Sequence, residues 1–160
     1  AMDIGYPGGP VIDKLAKEGE ETYDLPRVML ERDSYDFSFS GLKTAVLNEL
    51  NNAKQKGEEI RVADMATSFQ NAVVDVLTEK TYRLAHELGE KKIVLAGGVS
   101  ANSGLRAAME KRGAEEGIRV YYPNPILCTD NGAMIASVGY YSYMKGEDES
   151  VFADPNLGLD

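Results

Sequence analysis

The sequence predicts an α/β fold, helix-rich with a small, partly parallel sheet. Three observations lead there. A long run of apolar residues recurs every three and four positions between Val62 and Leu88, as on one face of a packed helix. A short continuous apolar run follows at Ile93-Val94-Leu95-Ala96, the pattern of a strand buried on both faces. A second short apolar segment, Arg119-Val120-Tyr121-Tyr122, comes after an intervening helical stretch, and strand, helix, strand implies a right-handed parallel crossover.

The remaining elements follow in chain order. Tyr6-Pro7-Gly8-Gly9-Pro10 reads as a turn, leading into a short helix with Ile12, Leu15 and Ala16 on one side. Residues 20–35 contain Pro26 and read as loop with one short strand at most. Asp36-Phe37-Ser38-Phe39-Ser40 alternates polar and aromatic side chains like a half-buried strand, and Gly41 breaks it before a helix to about Lys56. Gly89 closes the long helix. After Gly98 a helix is expected through about Glu116, with Ser100, Asn102 and Ser103 as candidate N-caps. Pro123 and Pro125 stop the second strand, and Thr129-Asp130-Asn131 opens a last helix through Met134, Val138 and Met144 to Gly146.

Composition limits the function classes. Hydrophobic residues at 43% and charged residues at 27% match ordinary globular chains, which excludes a disordered or fibrous protein. No apolar run reaches the roughly 18 residues that span a bilayer. With no basic-then-apolar leader and a single cysteine, Cys128, a cytoplasmic location is expected. The net charge of −9 argues against a broad nucleic-acid footprint, which requires clustered Lys and Arg. A nucleic-acid substrate would therefore be held by a local basic patch, by a segment outside this sequence, or by a partner.

Several residues could carry chemistry, each beside a plainer structural reading. Gly97 and Gly98 lie at the carboxyl end of a predicted strand, where α/β sheets place ligands. Glycine there admits a base or phosphate to the backbone, and free N–H groups at the following helix start favour an anion. A tight turn with Asn102 as cap explains the same residues. Asp13, four residues after Gly9, could accept both hydroxyls of a ribose, or be a solvated first-turn carboxylate favoured by the helix dipole. Asp130 could be a metal ligand or an N-cap. The only histidine, His86, has no second histidine three or four residues away, so it reads as a surface or satisfied side chain. Ser38, Ser40 and Lys43 could donate to a phosphate. With no histidine to pair with, neither serine nor Cys128 forms an activated nucleophile.

Four motifs taken together, Tyr-Pro-Gly-Gly-Pro at 6–10, Asp-Phe-Ser-Phe-Ser-Gly-Leu-Lys-Thr at 36–44, Ala-Gly-Gly-Val-Ser-Ala-Asn at 96–102 and Cys-Thr-Asp-Asn at 128–131, resemble one family. It is the tRNA N6-adenosine threonylcarbamoyltransferase family, whose older name is O-sialoglycoprotein endopeptidase. The resemblance covers nearly the whole chain. It implies that residues 1–160 are the C-terminal half of a two-lobed fold shared with actin, sugar kinases and heat-shock ATPases: the second lobe, plus a final helix returning towards the first.

The resemblance also implies an activity: transfer of a threonylcarbamoyl group from threonylcarbamoyl-adenylate to N6 of the adenosine beside the anticodon, in tRNAs reading codons that begin with A. By motif, Gly9 and Asp13 would contact the adenylate, Asn102 would hold it beside Gly97 and Gly98, and Asp130 would bind a divalent metal. The family suggests Fe2+, with Zn2+ or Mg2+ as alternatives, and its other ligands are a histidine pair in the first half. This half identifies no catalytic nucleophile or base and would be inactive alone. Implied partners are tRNA, ATP or AMP, and accessory proteins of the transfer complex, a paralogous subunit and a small ATPase, with no membrane.

Three other functions fit less of the sequence. A metalloprotease, as the older name suggests, needs His-Glu-x-x-His, which is absent. A non-catalytic nucleotide-fold binding module remains open. A sugar or acetate kinase fragment accounts for Gly97-Gly98 but not for Cys-Thr-Asp-Asn.

Overall fold

The computed structural model describes residues 4–31 and 33–147. The chain divides into two compact units, Ala1–Cys128 and Thr129–Asp160. The first contains helices α1 (Gly8–Leu15), α2 (Ser40–Lys56), α3 (Val62–Leu88) and α4 (Ser103–Glu116), with strands β1 (Lys92–Val94) and β2 (Arg119–Tyr121). The described part of the second contains α5 (Gly132–Lys145).

Helix α3 organises the first unit. Its 27 residues extend about 40 Å at 1.5 Å per residue, long enough to serve two apolar clusters in turn. Towards its start, Met65 and Ala72 pack with Leu25 from the preceding loop and with Leu42 and Val46 of α2. Towards its end, Tyr82 and Ala85 pack with Ile93 of β1, Leu105 and Met109 of α4, and Ile118 just before β2. Gly89 ends α3 at φ 70°, where a side chain would be strained.

Strands β1 and β2 pair in parallel, Ile93 opposite Val120, so the strand-helix-strand expectation holds. The strands are shorter than expected, and β1 is not buried on both faces: Ile93 is buried while Val94 is 71% exposed. A two-stranded sheet with α4 on it has a second face that the described residues do not cover.

The alternating segment before α2 is not a strand. Among the described residues no partner strand lies beside it, and its carbonyls go elsewhere: Lys80 Nζ donates to Asp36 O at 2.6 Å. Lys80, almost fully buried, also lies over the Phe37 ring, and Phe37 stacks on Phe39. A lysine reaching from α3 thus replaces the ladder that alternation would otherwise signal. Nor do the described residues of the 20–35 segment contain a strand. They are fixed by side chains instead, Ser68 Oγ accepting from Tyr23 N and Asp64 Oδ1 from Glu20 N.

Among the described residues no helix is long and apolar enough to cross a membrane.

Candidate functional site

The helix expected directly after Gly98 begins later. Gly97 sits at φ 81°, ψ 170°, a backbone conformation that glycine adopts readily and L side chains do not. Gly98–Ala101 then forms a 3-10 turn, closed by Ser100, whose N–H and Oγ both donate to Gly97 O, at 3.0 Å and 2.7 Å. Only after it does α4 start. A methyl group added at Gly97 or at Gly98 would meet no heavy atom within 4 Å, so bare backbone faces open space at the end of β1. Gly9, in the first turn of α1, is equally open.

Asn102 is the N-cap of α4: its Oδ1 accepts from Leu105 N at 2.8 Å, satisfying a backbone donor that the first helical turn leaves over. Its Nδ2 donates to Gln70 Oε1 at 2.7 Å. One amide hydrogen and one oxygen lone pair of Asn102 remain for other partners. Gln70 belongs to α3 and lies so close to Gly104 that a Cβ there would come within 2.6 Å of its Nε2.

Asp13 is not a solvated first-turn carboxylate. It lies towards the end of α1, where it reaches the start of α4. Its Oδ1 accepts from Ser103 N at 3.1 Å, from Ser103 Oγ at 2.9 Å and from Gly104 N at 3.4 Å. The N–H groups that the sequence leaves free for an anion at this helix start are therefore taken, two by Asp13 and one by Asn102. A negative side chain at that position also suits the helix dipole. Oδ2 of Asp13 faces Lys17 Nζ at 3.8 Å.

The fold thus ties the helix that follows Tyr-Pro-Gly-Gly-Pro to the first residues of α4, which directly follow the Gly-Gly-Val-Ser-Ala-Asn loop. In the second unit, Asp130 does not cap α5. Asn131 does, its Oδ1 accepting from Met134 N at 3.2 Å and its Nδ2 donating to Thr129 O at 2.9 Å. Asp130 is exposed and not committed to the helix end. Among the described residues no group of three His, Cys, Asp or Glu side chains gathers as a metal site, so the described residues do not complete one around Asp130.

His86 is satisfied, its Nε2 lying 2.6 Å from Glu116 Oε2. Arg112 also binds Glu116, through Nε at 2.6 Å, and this guanidinium, ahead of the His86 contact, holds the Glu116 carboxyl below its ordinary value against the opposing effect of burial. Ser40 opens α2 with Lys43 in its first turn, both exposed.

Three participants escape sequence reasoning as members of the site: Ser103, Gln70 and Arg106. Gln70 carries one signal, a polar side chain set among Ala66, Phe69, Ala72 and Val73 on the apolar face of α3. Arg106 lies in an unremarkable helical position, yet its guanidinium meets a segment before α4, at Ser100 O, and one after β2, at Pro123 O.

A family profile described as TsaD, tRNA N6-adenosine threonylcarbamoyltransferase, matches residues 1–137. Relatives carrying that description include one from Bacillus subtilis (strain 168), 57% identical over 91% of this chain and 42% of the relative. Another, from Clostridioides difficile (strain 630), is 53% identical over 99% of this chain and 48% of the relative, and one from Clostridium beijerinckii is 50% identical over the same shares. The chain spans about half the length of the curated relatives it matches.

Proposed function

This chain belongs to the tRNA N6-adenosine threonylcarbamoyltransferase family, and we propose from that premise that it forms the second half of an acyltransferase that moves a threonylcarbamoyl group from threonylcarbamoyl-adenylate to N6 of a tRNA adenosine. The acceptor is the adenosine beside the anticodon in tRNAs that read A-starting codons, and AMP leaves. One observation carries the reading: Asp13 closes α1 onto the start of α4, beside the open Gly97-Gly98 backbone and Asn102. Two segments that resemble nucleotide-contacting motifs thereby meet, although 90 residues separate them.

In this reading the adenylate lies along Gly97 and Gly98, whose backbone admits it closely. The spare amide hydrogen of Asn102 and the remaining oxygen of Asp13 address its polar edge, and Gly9 lets the ribose approach α1. Asp130 holds one position of a divalent metal, Fe2+ by family resemblance, with Zn2+ or Mg2+ as alternatives. The other ligands and most of the first lobe of an actin-like, sugar-kinase and heat-shock-ATPase fold come from the half of the protein outside this chain. Such a metal, when bound, supplies positive charge to a reacting carbonyl or phosphate. The amine of adenine is itself the nucleophile, so no covalent enzyme intermediate is needed.

The chain's charge of −9 fits a tRNA held largely by other segments or by accessory proteins, a paralogous subunit and a small ATPase, in the cytoplasm. The test is Asn102→Ala in the complete protein. Calorimetry with a non-hydrolysable adenylate analogue should show weaker binding by about 1 to 3 kcal/mol. Unchanged affinity in a folded variant would leave Asn102 as a helix cap alone and remove the proposed pocket.

A further inference from the structure

Resting on the proposed nucleotide pocket, we infer that Arg106 is a positioning residue that holds the nucleotide loop and the start of the Cys-Thr-Asp-Asn motif in one fixed relation. Its Nε donates to Ser100 O at 2.5 Å, within the Gly98–Ala101 turn. One terminal nitrogen donates to Pro123 O at 3.2 Å and meets Cys128 Sγ at 3.2 Å. The guanidinium plane lies over the Tyr122 ring, 4.3 Å from its centre.

Each contact falls on a segment of irregular backbone. Ser100 belongs to a 3-10 turn. Pro123 follows the last residue of β2 by two, and Cys128 ends the 3-10 turn Pro125–Leu127. Each turn closes on a few local bonds of its own, such as Ser100 N–H to Gly97 O and Cys128 N–H to Pro125 O, but none of these ties one turn to the other; Arg106 does. Arginine is suited to this role, because five donors in a rigid planar fork serve several acceptors at once and stack on an aromatic face. Cys128, 2% exposed, is the anchored end of the motif, and Asp130 follows it by two residues. The placement of Gly97-Gly98 against an adenylate and the Pro123–Cys128 segment that opens the motif therefore share one mechanical support.

A lysine cannot reproduce this, because one ammonium on a flexible stem has no fork to span Ser100 O and Pro123 O together. Helix α4 carries a natural control in Arg112, whose partners are Glu79 and Glu116 and which touches neither segment.

The experiment uses the complete protein, with Arg106→Lys, Arg106→Gln and Arg112→Lys. Transfer is followed with threonylcarbamoyl-adenylate and a tRNA transcript, well below each melting temperature. Alkylation of Cys128 by iodoacetamide is followed by peptide mass spectrometry. Both Arg106 variants should lower kcat by about 10- to 100-fold, as the loss of groups that orient a site does, raise KM for the adenylate, and expose Cys128 to faster alkylation. Arg112→Lys should melt earlier yet leave kcat and KM unchanged.

Wild-type kcat and KM in Arg106→Lys overturn the inference, as does an Arg112→Lys variant that loses as much transfer as Arg106→Lys. If the unsubstituted protein transfers nothing, the proposed function fails by itself. Alkylation still reports on the support in that case, and an unchanged Cys128 rate in Arg106→Gln overturns it.

Discussion

One carboxylate oxygen, Oδ1 of Asp13, accepts from both the backbone N–H and the hydroxyl of Ser103, at 3.1 and 2.9 Å. A side chain from α1 thus completes the N-terminus of α4. The arrangement serves two ends at once: it satisfies donors that a helix start would otherwise leave over, and it ties α1 to the start of α4. Asp13→Ala should cost about 1 to 2 kcal/mol, the usual loss when a capping oxygen is removed. Asp13→Asn, which keeps an oxygen acceptor, should cost less. Urea unfolding of both variants measures the difference, and an alanine variant as stable as the parent would mean that the clamp is idle.

Gly113 lies where α4 crosses the approach to β2. A Cβ there would come within 2.6 Å of Ile118 O and 2.8 Å of the Tyr82 hydroxyl. The first is backbone and cannot swing aside, and the second is pinned by its own bond to Met109 O at 2.5 Å. Gly113→Ala should therefore destabilise by about 1 to 3 kcal/mol through overpacking, despite alanine's better helix propensity. A melting temperature at or above that of the parent would contradict this.

The pH dependence follows from Glu116. The Arg112 guanidinium, aided by His86, holds its carboxyl below the ordinary value of 4.5. A carboxyl depressed in the folded state favours folding above that ordinary value, and the contribution disappears as pH falls through the lower folded value. Arg112→Gln should therefore be less stable than the parent near neutrality, and the gap should narrow as pH falls below 4.5. Denaturant melts at a series of pH values report it. A gap that stays constant into acid would show that the Arg112 contribution lies elsewhere, for instance in its stacking over Tyr82.

Asp130 separates two roles cleanly, because Asn131 already caps α5. Asp130→Asn in the complete protein should leave the melting temperature of the metal-free form unchanged while lowering metal content and transfer, since a neutral amide replaces an anionic ligand. Elemental analysis and nucleoside mass spectrometry are read on the same sample. Full metal occupancy with normal transfer would remove Asp130 from the proposed site.

This chain alone, given the adenylate, tRNA and a divalent metal, should form no modified nucleoside, because Asp130 is the one metal ligand proposed within it. Product above a blank without enzyme would show that the chain supplies more of the site than the family resemblance implies.

The sequence by itself determined that the helices exist, although α4 begins at Ser103 and not directly after Gly98. Apolar spacing marks α3 at its observed bounds, Gly89 and Gly146 mark helix ends, and the apolar runs at Ile93 and Val120 locate two strands that pair in parallel. These are local signals: periodicity and punctuation are written in neighbouring residues. The four motifs identified the family in the same way, as short words in order. What only the tertiary structure decided is which groups satisfy which others across long separations. Alternation at 36–40 predicted a strand, but Lys80 from α3 takes the carbonyl of Asp36 instead. Asp13 could be a solvated carboxylate or a ligand-binding one, and in the fold it caps a helix 90 residues away. Asp130 could be a metal ligand or an N-cap by sequence, and in the fold Asn131 is the cap of α5 instead. Hydrogen-bond partners at such distances depend on how α1, α3 and α4 pack, and no periodicity along the chain encodes that packing.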